Sequence, residues 1–263
     1  MTPDAEALRV RAFAAFEAGR LAEAVVCFDG LLRLANIPKF YAAQALYNMS
    51  VAFGLLDNLE AEIAACQELI LRFGAAEEPQ IETLLASALV NKGVALIRLG
   101  RPDLALDSFA EVVARFADAE APALREQVEK ALVDSGAVLS EQGRHSDALA
   151  QLAQALPRLS SPAAIASVLV NQSHCHFQLG QGDPALAACE ELLARFSGNS
   201  DPEIQAALAL GLLNKGEALS LLGRTSEARA VYDEVLTRYS HHDGHKYAQA
   251  VTEARDGLKK LGN

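Results

Sequence analysis

The sequence predicts an all-α fold, a right-handed α-solenoid of six helix-turn-helix repeats plus a C-terminal capping helix. One phrase recurs along the 263 residues: NKGVALIRLGR runs from Asn91 to Arg101, and NKGEALSLLGR runs from Asn214 to Arg224. Alanine and leucine are abundant throughout, whereas aromatic residues make up only 6% and tryptophan is absent. This bias suits closely packed helices better than strands.

The period of the repeat is marked by the residue that ends the first helix of each pair. Glycine occupies five of these six places and aspartate occupies the second one. The successive spacings are 38, 43, 43, 37 and 43 residues. Periods of this size with two helical patterns each are typical of helical solenoids, because one repeat cannot bury its apolar face alone. The closing residues are Gly19, Asp57, Gly100, Gly143, Gly180 and Gly223.

The elements follow in order as a single predicted domain over 1–263. Proline opens the first helix of repeats 3 to 6, where its missing N–H costs nothing, and Asp201 is placed to cap the last of these helices. Apolar residues recur at helical spacing within each pair and are interpreted as core. The repeats cover about 4–35, 38–73, 79–116, 122–159, 162–197 and 201–239, and the capping helix covers 245–261.

The capping helix carries a polar face. Solenoids need such an element because the last repeat otherwise exposes an apolar surface. We expect its polar residues to cover the end of the stack: Gln249, Thr252, Glu253, Arg255, Lys259 and Lys260.

Charge and composition exclude several classes of function. With 51% hydrophobic and 22% charged residues the chain can bury a sizeable core, and its formal net charge is -11. A duplex nucleic-acid binder needs a basic face, so neither nucleic acid nor an anionic membrane is an expected partner. No run approaches the roughly 20 apolar residues that span a bilayer, and the acidic N-terminus is unlike a signal peptide. We therefore expect a cytoplasmic protein.

The four cysteines show no metal-binding or disulfide pattern. Cys27, Cys66, Cys175 and Cys189 are far apart and form no CxxC pair. They are predicted to be reduced and mostly buried.

The residues of the last repeat resemble those of the tetratricopeptide repeat family, and the resemblance covers about residues 4–239. It implies that Gly216 and Ala228 lie where the two helices of a pair approach most closely, with Tyr232 wedged into the next repeat. In repeat 2, Glu62 departs from the family pattern by standing where alanine is expected. We favour a solvent-facing carboxylate there over a buried one that needs a partner. The matching residues are Asn214, Gly216, Ala218, Leu219, Leu222, Gly223, Ala228, Tyr232 and Val235.

The resemblance also implies a binding surface, because the first helices of such repeats line a concave groove. An asparagine recurs in one slot of these helices, with aspartate in repeat 4, and in the family this amide often hydrogen-bonds an extended peptide. The alternative is that each asparagine ties adjacent helices together. The predicted groove residues are Tyr47, Asn48, Asn91, Arg98, Lys130, Asp134, Asn171, His174, Asn214 and Glu217.

Other chemistry is not expected. Lys130 beside Asp134 makes a poor site for an anionic peptide terminus. His174 and His176 point about 200° apart on a helix and cannot share a metal ion. A loop with His241, His242 and His245 could fold around zinc or nickel, although such loops are commonly only solvated. We predict no cofactor and, since no nucleophile and base pair stands out, no enzymatic activity.

The predicted function is a non-catalytic scaffold that binds a peptide or partner segment in its concave groove. The alternative is a regulatory or sensor subunit gated by a small ligand or signal peptide. The partner is a protein or peptide, and the chain is expected to be a monomer or weak homo-oligomer, with self-assembly through the repeat ends as a third possibility.

Overall fold

The computed structural model describes residues 2–241 and 246–262. Over these residues the chain forms 13 α-helices, a short 3₁₀ turn at Leu156–Arg158 and no strand, which confirms the all-α class and the succession of helix pairs. Two compact units divide the chain, covering 1–131 and 132–263. The single domain over 1–263 and the limits of the individual repeats stay predictions.

Unit 1 holds three helix pairs, in which each helix packs on the next and α3 also packs on α5. Its helices are α1 (Pro3–Glu17), α2 (Leu21–Leu32), α3 (Lys39–Leu55), α4 (Leu59–Phe73), α5 (Pro79–Arg98) and α6 (Pro102–Phe116). Helix α7 (Pro122–Glu141) crosses the boundary between the units.

Unit 2 continues with helix pairs and ends in one additional helix. Here α9 packs on both α10 and α11, and α11 packs on both α12 and α13. The helices are α8 (His145–Ala155), α9 (Pro162–Gln178), α10 (Gly182–Phe196), α11 (Pro202–Leu221), α12 (Thr225–Tyr239) and α13 (Ala248–Lys260). Asp201 caps α11 as predicted, since its Oδ1 accepts from the backbone N–H of Glu203 at 2.8 Å and of Ile204 at 3.3 Å.

The residue that closes each first helix adopts a left-handed backbone conformation. The five glycines have φ between 70° and 74°, and Asp57 has φ 59°. In the last pair, the Gly223 N–H donates to the Ser220 carbonyl at 3.0 Å and the Arg224 N–H donates to the Leu219 carbonyl at 2.8 Å. The same two hydrogen bonds recur at all six places, so every pair turns through the same glycine-type helix end.

A close approach of the two helices is set by a second glycine in the first helix. A Cβ added to Gly216 would lie 2.4 Å from Cε1 of Tyr232, and one added to Gly93 would lie 2.4 Å from Cε1 of Phe109. Both rings are buried, and each lies 16 positions after its glycine. The predicted close contact at Gly216 is therefore present, and it is made by the aromatic ring.

Two pairs replace the glycine and the ring by serine and cysteine. Ser50 with Cys66 and Ser173 with Cys189 have the same 16-residue separation, and all four side chains are buried. Burial raises the pKa of both thiols to about 12, and the facing serine hydroxyl opposes this increase. The small thiol thus occupies the place of the ring where the facing helix carries a hydroxyl. All four cysteines of the chain are free and buried, as predicted.

Helix α13 packs on unit 2 as the first helix of a further pair would. A Cβ added to Gly257 would lie 2.6 Å from Cζ of Tyr232, so the tyrosine ring is held between glycines of α11 and α13. Tyr239 and Tyr247 stack with ring centroids 5.0 Å apart at the start of this contact. The last helix is consequently an integral part of the hairpin packing of unit 2.

Among the described helices, α5 alone is long and apolar enough to cross a membrane by length and composition. Half of its apolar window is buried inside the protein, where α5 packs against α3, α4 and α6. This burial accounts for its composition, and the absence of membrane binding stays a prediction.

Replacing Gly223 by alanine tests the left-handed helix end. A Cβ at this position meets nothing within 4 Å, so only the backbone conformation opposes it. We expect Gly223→Ala to lower the free energy of unfolding by about 1–2 kcal/mol. Gly198→Ala is the matched control, because its Cβ also meets open space and its φ is not positive. Urea denaturation that shows equal effects for the two variants would contradict the assignment.

A double-mutant cycle tests the exchange between the two pair types. Gly93→Ser alone should destabilise unit 1 because its side chain meets the Phe109 ring, and Phe109→Cys alone should cost about 3–5 kcal/mol through a cavity. The double variant recreates the pair found at Ser50 and Cys66, so we expect it to be more stable than the sum of the single effects by about 1 kcal/mol or more. If chemical denaturation showed that the two changes in unfolding free energy simply add, positions 93 and 109 would not compete for the same space.

Candidate functional site

A cavity of about 450 Å³ lies on the first helices of unit 2. Its walls come from the end of α7, from α9, from α11 and from α13, and they combine carboxylates and amides with a few apolar side chains. Four of the ten predicted groove residues line it: Asn171, His174, Asn214 and Glu217.

Helical spacing explains why these side chains meet. On α9, Asn171, His174 and Gln178 are separated by three and four positions and therefore share one face. The same spacing on α11 aligns Asn214 with Glu217. Because α9 packs on α11 and α11 on α13, the faces of successive helices form one continuous wall within unit 2.

Asn214 performs the structural role that was one of the two interpretations of the recurrent asparagine. Its side chain is only 5% exposed, and its Nδ2 donates to the Val170 carbonyl at 3.1 Å and to Ser173 Oγ at 2.7 Å. The amide thereby ties α11 to α9. Its Oδ1 accepts no hydrogen bond from any described residue, and Asn214 remains part of the cavity wall. One half of the amide is structural and the other half faces the cavity.

Glu217 is a half-buried acid of the cavity wall. Burial, followed by the nearby carboxylate of Glu253, raises its pKa to about 7 against the opposing effect of Lys260. Gln249 Nε2 donates to Glu253 Oε1 at 3.1 Å, which holds that carboxylate on α13. Burial lowers the pKa of His174, as does His145, whose ring centroid is 6.1 Å away.

The predicted groove residues outside the cavity are spread along α3, α5 and α7. Tyr47, Asn48 and Asn91 are half-buried in unit 1. Arg98 Nη2 donates to Asp57 Oδ1 at 2.6 Å and is thus engaged by the residue that closes the preceding first helix. Lys130 is exposed and Asp134 is half-buried, one turn apart on α7.

Sequence comparisons match the repeats directly. Family models described as tetratricopeptide repeat match residues 87–119, 211–242 and 5–29. The first two ranges each cover the end of a first helix, its left-handed glycine and the second helix. These three ranges therefore carry tetratricopeptide repeats. A search of curated proteins found no match.

Solved structures share the fold of this chain at low sequence identity. A tetratricopeptide repeat protein from Parabacteroides merdae ATCC 43184 is 12% identical, with a TM-score of 0.65, covering 99% of this chain and 93% of that one. A Rap protein complexed with competence and sporulation factor is 12% identical, with a TM-score of 0.54 and coverages of 98% and 80%. The Rap conjugation gene regulator of plasmid pLS20, in complex with the Phr* peptide, is 16% identical, with a TM-score of 0.50 and coverages of 95% and 72%.

The part of the site that the sequence did not predict comes from α13. Gln249 and Glu253, which were expected only to cover the end of the repeats, also line the cavity. The available signal was Gly257, an isolated glycine inside a helical pattern. Such a glycine indicates a close approach, and here it receives Tyr232 as the hairpin glycine does. With the four-residue spacing of Gln249 and Glu253, it places both side chains beside Glu217 on the wall.

Glu62 is buried, so the preferred interpretation of a solvent-facing carboxylate is wrong. Its side chain packs on α3, where a Cβ added to Gly54 would lie 2.7 Å from its Oε2. No described group hydrogen-bonds this oxygen. Burial raises the pKa of Glu62, and the positive charge of Arg98 opposes that increase. Gly54 provides the space that allows glutamate to stand where the family has alanine.

The histidines do not assemble a metal site within the ranges 2–241 and 246–262, which contain no suitable group of three ligands. Cys175 Sγ donates to Ser140 Oγ at 3.3 Å in the core, and His176 Nδ1 is 2.7 Å from Gln181 Oε1 at the surface. The loop hypothesis concerns His241, His242 and His245, of which the last two lie outside the described residues.

Glu217→Gln tests the electrostatics of the cavity. The folded-state pKa of Glu217 is about 7, above the usual glutamate value of 4.5, so ionisation costs stability above pH 7 and this cost vanishes as the pH falls towards 4.5. We expect Glu217→Gln to raise the free energy of unfolding at pH 8 by about 1–3 kcal/mol and to change it little at pH 4.5.

Urea denaturation at the two pH values measures this difference. Glu203→Gln, which removes an exposed carboxylate from the same helix, is the control and should show no such pH dependence. A loss of stability at pH 8 in Glu217→Gln would contradict the assignment.

Proposed function

We propose that this protein is a non-catalytic interaction scaffold that binds an extended segment of a partner protein in the cavity of unit 2. The proposal combines a repeat family that is generally non-catalytic with a cavity whose wall presents amides from successive helices. Cavities that hold ligands in proteins commonly measure about 300–1,000 Å³, and the volume here of about 450 Å³ lies in this range.

The observation that carries the proposal is the state of Asn171. Its side chain is half-buried in the cavity wall, and no described residue hydrogen-bonds its amide. A primary amide both donates and accepts, which matches the alternating N–H and C=O groups of an extended main chain. Asn214 Oδ1 adds an acceptor from the next helix, so two consecutive first helices offer main-chain partners.

The rest of the wall suits a peptide better than a small polar molecule. Val170, Leu210 and Leu213 contribute apolar surface between the polar side chains. Peptide-binding grooves combine main-chain hydrogen bonds with pockets for alternate side chains, and both kinds of surface are available here.

Related folds support a second candidate, a regulatory subunit gated by a signal peptide. The plasmid pLS20 regulator was solved in complex with a peptide, and this chain shares its fold at a TM-score of 0.50. A gated subunit changes conformation when the peptide binds, whereas a scaffold does not need to. Small-angle scattering with and without bound peptide separates the two: an altered radius of gyration favours the gated subunit.

Selection from a random peptide display library tests the scaffold proposal. We expect enriched peptides to bind the intact chain and to lose about tenfold or more in affinity for Asn171→Ala, because one to two main-chain hydrogen bonds disappear. Titration calorimetry measures the affinities, and circular dichroism confirms that the variant folds.

Gln154→Ala provides the matched control, since it removes an exposed amide from the second helix α8. Its affinity should stay within about twofold of the original protein. A library that yields no binder, or binders that tolerate Asn171→Ala, would overturn the proposal.

A further inference from the structure

The cavity of unit 2 is acidic. Glu141 at the end of α7, Glu217 on α11 and Glu253 on α13 each contribute a carboxylate, and the described wall contains neither lysine nor arginine. Three carboxylates on three helices around one cavity favour a positively charged occupant by charge complementarity.

The hydrogen-bond donors of the wall are partly consumed inside the protein. Asn214 Nδ2 is used by Val170 and Ser173, and Gln249 Nε2 is used by Glu253. The polar atoms that these two residues and the acids still present to the cavity are oxygen acceptors. Ammonium and guanidinium groups carry only donors, so they match this surface.

Asn214 Oδ1 is an observation independent of the acidic cluster. The residue is only 5% exposed, and its side-chain oxygen accepts no hydrogen bond from the described part of the chain. Because Asn214 lines the cavity, this oxygen is open to a hydrogen-bond donor that a ligand brings. The Asn214 oxygen and the carboxylates therefore both favour a ligand that donates hydrogen bonds.

We infer that the cavity binds the ammonium or guanidinium group of a lysine or arginine in the partner's extended segment. The inference rests on the proposed function and specifies the partner as a basic peptide. The segment's main chain pairs with the Asn171 amide while its cationic side chain reaches Glu217 and Glu253. A peptide can therefore bind the half-buried Asn171 amide and the carboxylates at the same time. A free polyamine can bind only the carboxylates, because it has no peptide main chain.

The titration of the cavity gives the expected pH dependence. Without a ligand, burial and Glu253 raise the pKa of Glu217, so below pH 7 the carboxylate takes up a proton that a cation must displace. Lys260 on α13 opposes this increase, and His174 on α9 becomes a further positive charge only at acidic pH, since its pKa is lowered. Glu141 on α7 lines the same cavity. Affinity for a cationic peptide should consequently decrease as the pH falls from 8 to 5.5.

The experiment uses three probes on the full chain at pH 8 and moderate salt. They are a blocked nonapeptide of alternating lysine and serine, the same peptide with every lysine acetylated, and spermine. We expect the lysine peptide to bind and the acetylated peptide to bind at least tenfold more weakly in titration calorimetry. The double variant Glu217→Gln with Glu253→Gln should weaken the lysine peptide at least tenfold.

Glu203→Gln serves as the control for overall charge, because it removes an exposed carboxylate from α11 outside the cavity and should leave affinity within about twofold. Equal binding of the acetylated peptide, retained binding by the double variant, or binding of spermine without the lysine peptide would each overturn the inference. If library-selected peptides bind through Asn171 but carry no lysine or arginine, the inference fails while the scaffold proposal stands. If no peptide binds at all, the scaffold proposal fails first.

Discussion

The structure depends on the space shared by two side chains that lie 16 residues apart within its helix pairs. Gly93 and Gly216 each face an aromatic ring, that of Phe109 or Tyr232, and Gly136 faces the side chain of Leu152. Where the first helix has serine, the second has cysteine. The sum of the two volumes is thus kept small enough for the helices to stay close, and hydrophobic packing along the rest of the pair follows from this distance. In repeat 2, about one turn from Ser50 and Cys66, the missing side chain of Gly54 likewise makes room for the side chain of Glu62.

The repeated turn imposes a second condition on the same pairs. A left-handed residue ends each first helix, and the same two backbone hydrogen bonds accompany it before each second helix begins. Asp57 shows that the conformation matters more than the residue type, because aspartate is among the few side chains that tolerate it. Its carboxylate then becomes available to Arg98, so the exception to glycine in this series also binds the next first helix of unit 1.

Much of the fold was predictable because its determinants are local in sequence. Glycine spacing, proline at helix starts and apolar periodicity each act within about one repeat, and they located the helix pairs correctly.

The site was harder to predict, because a cavity depends on which helices pack side by side. Asn171, His174, Asn214 and Glu217 were predicted from their slot in the first helices and line the cavity, whereas Gln249 and Glu253 were predicted only to cover the end of the repeats. Their place on the cavity wall was missed because a polar helix face looks the same in sequence whether it meets solvent or a hydrated cavity. Glu62 was misjudged for a related reason: the space that accommodates it is created by Gly54 on another helix.

Tyr232 connects the packing of unit 2 to its proposed binding surface. Its ring fills the last hairpin against Gly216, and its other side receives Gly257 of the helix that carries Gln249 and Glu253. A change in ring size at Tyr232 would therefore alter both the packing of the last hairpin and the position of one cavity wall. Among the described glycines, Gly93 alone is placed against the Phe109 ring in unit 1. Equivalent positions of the repeats thus differ in what a substitution would change: hairpin packing alone at Phe109, and the proposed binding surface as well at Tyr232.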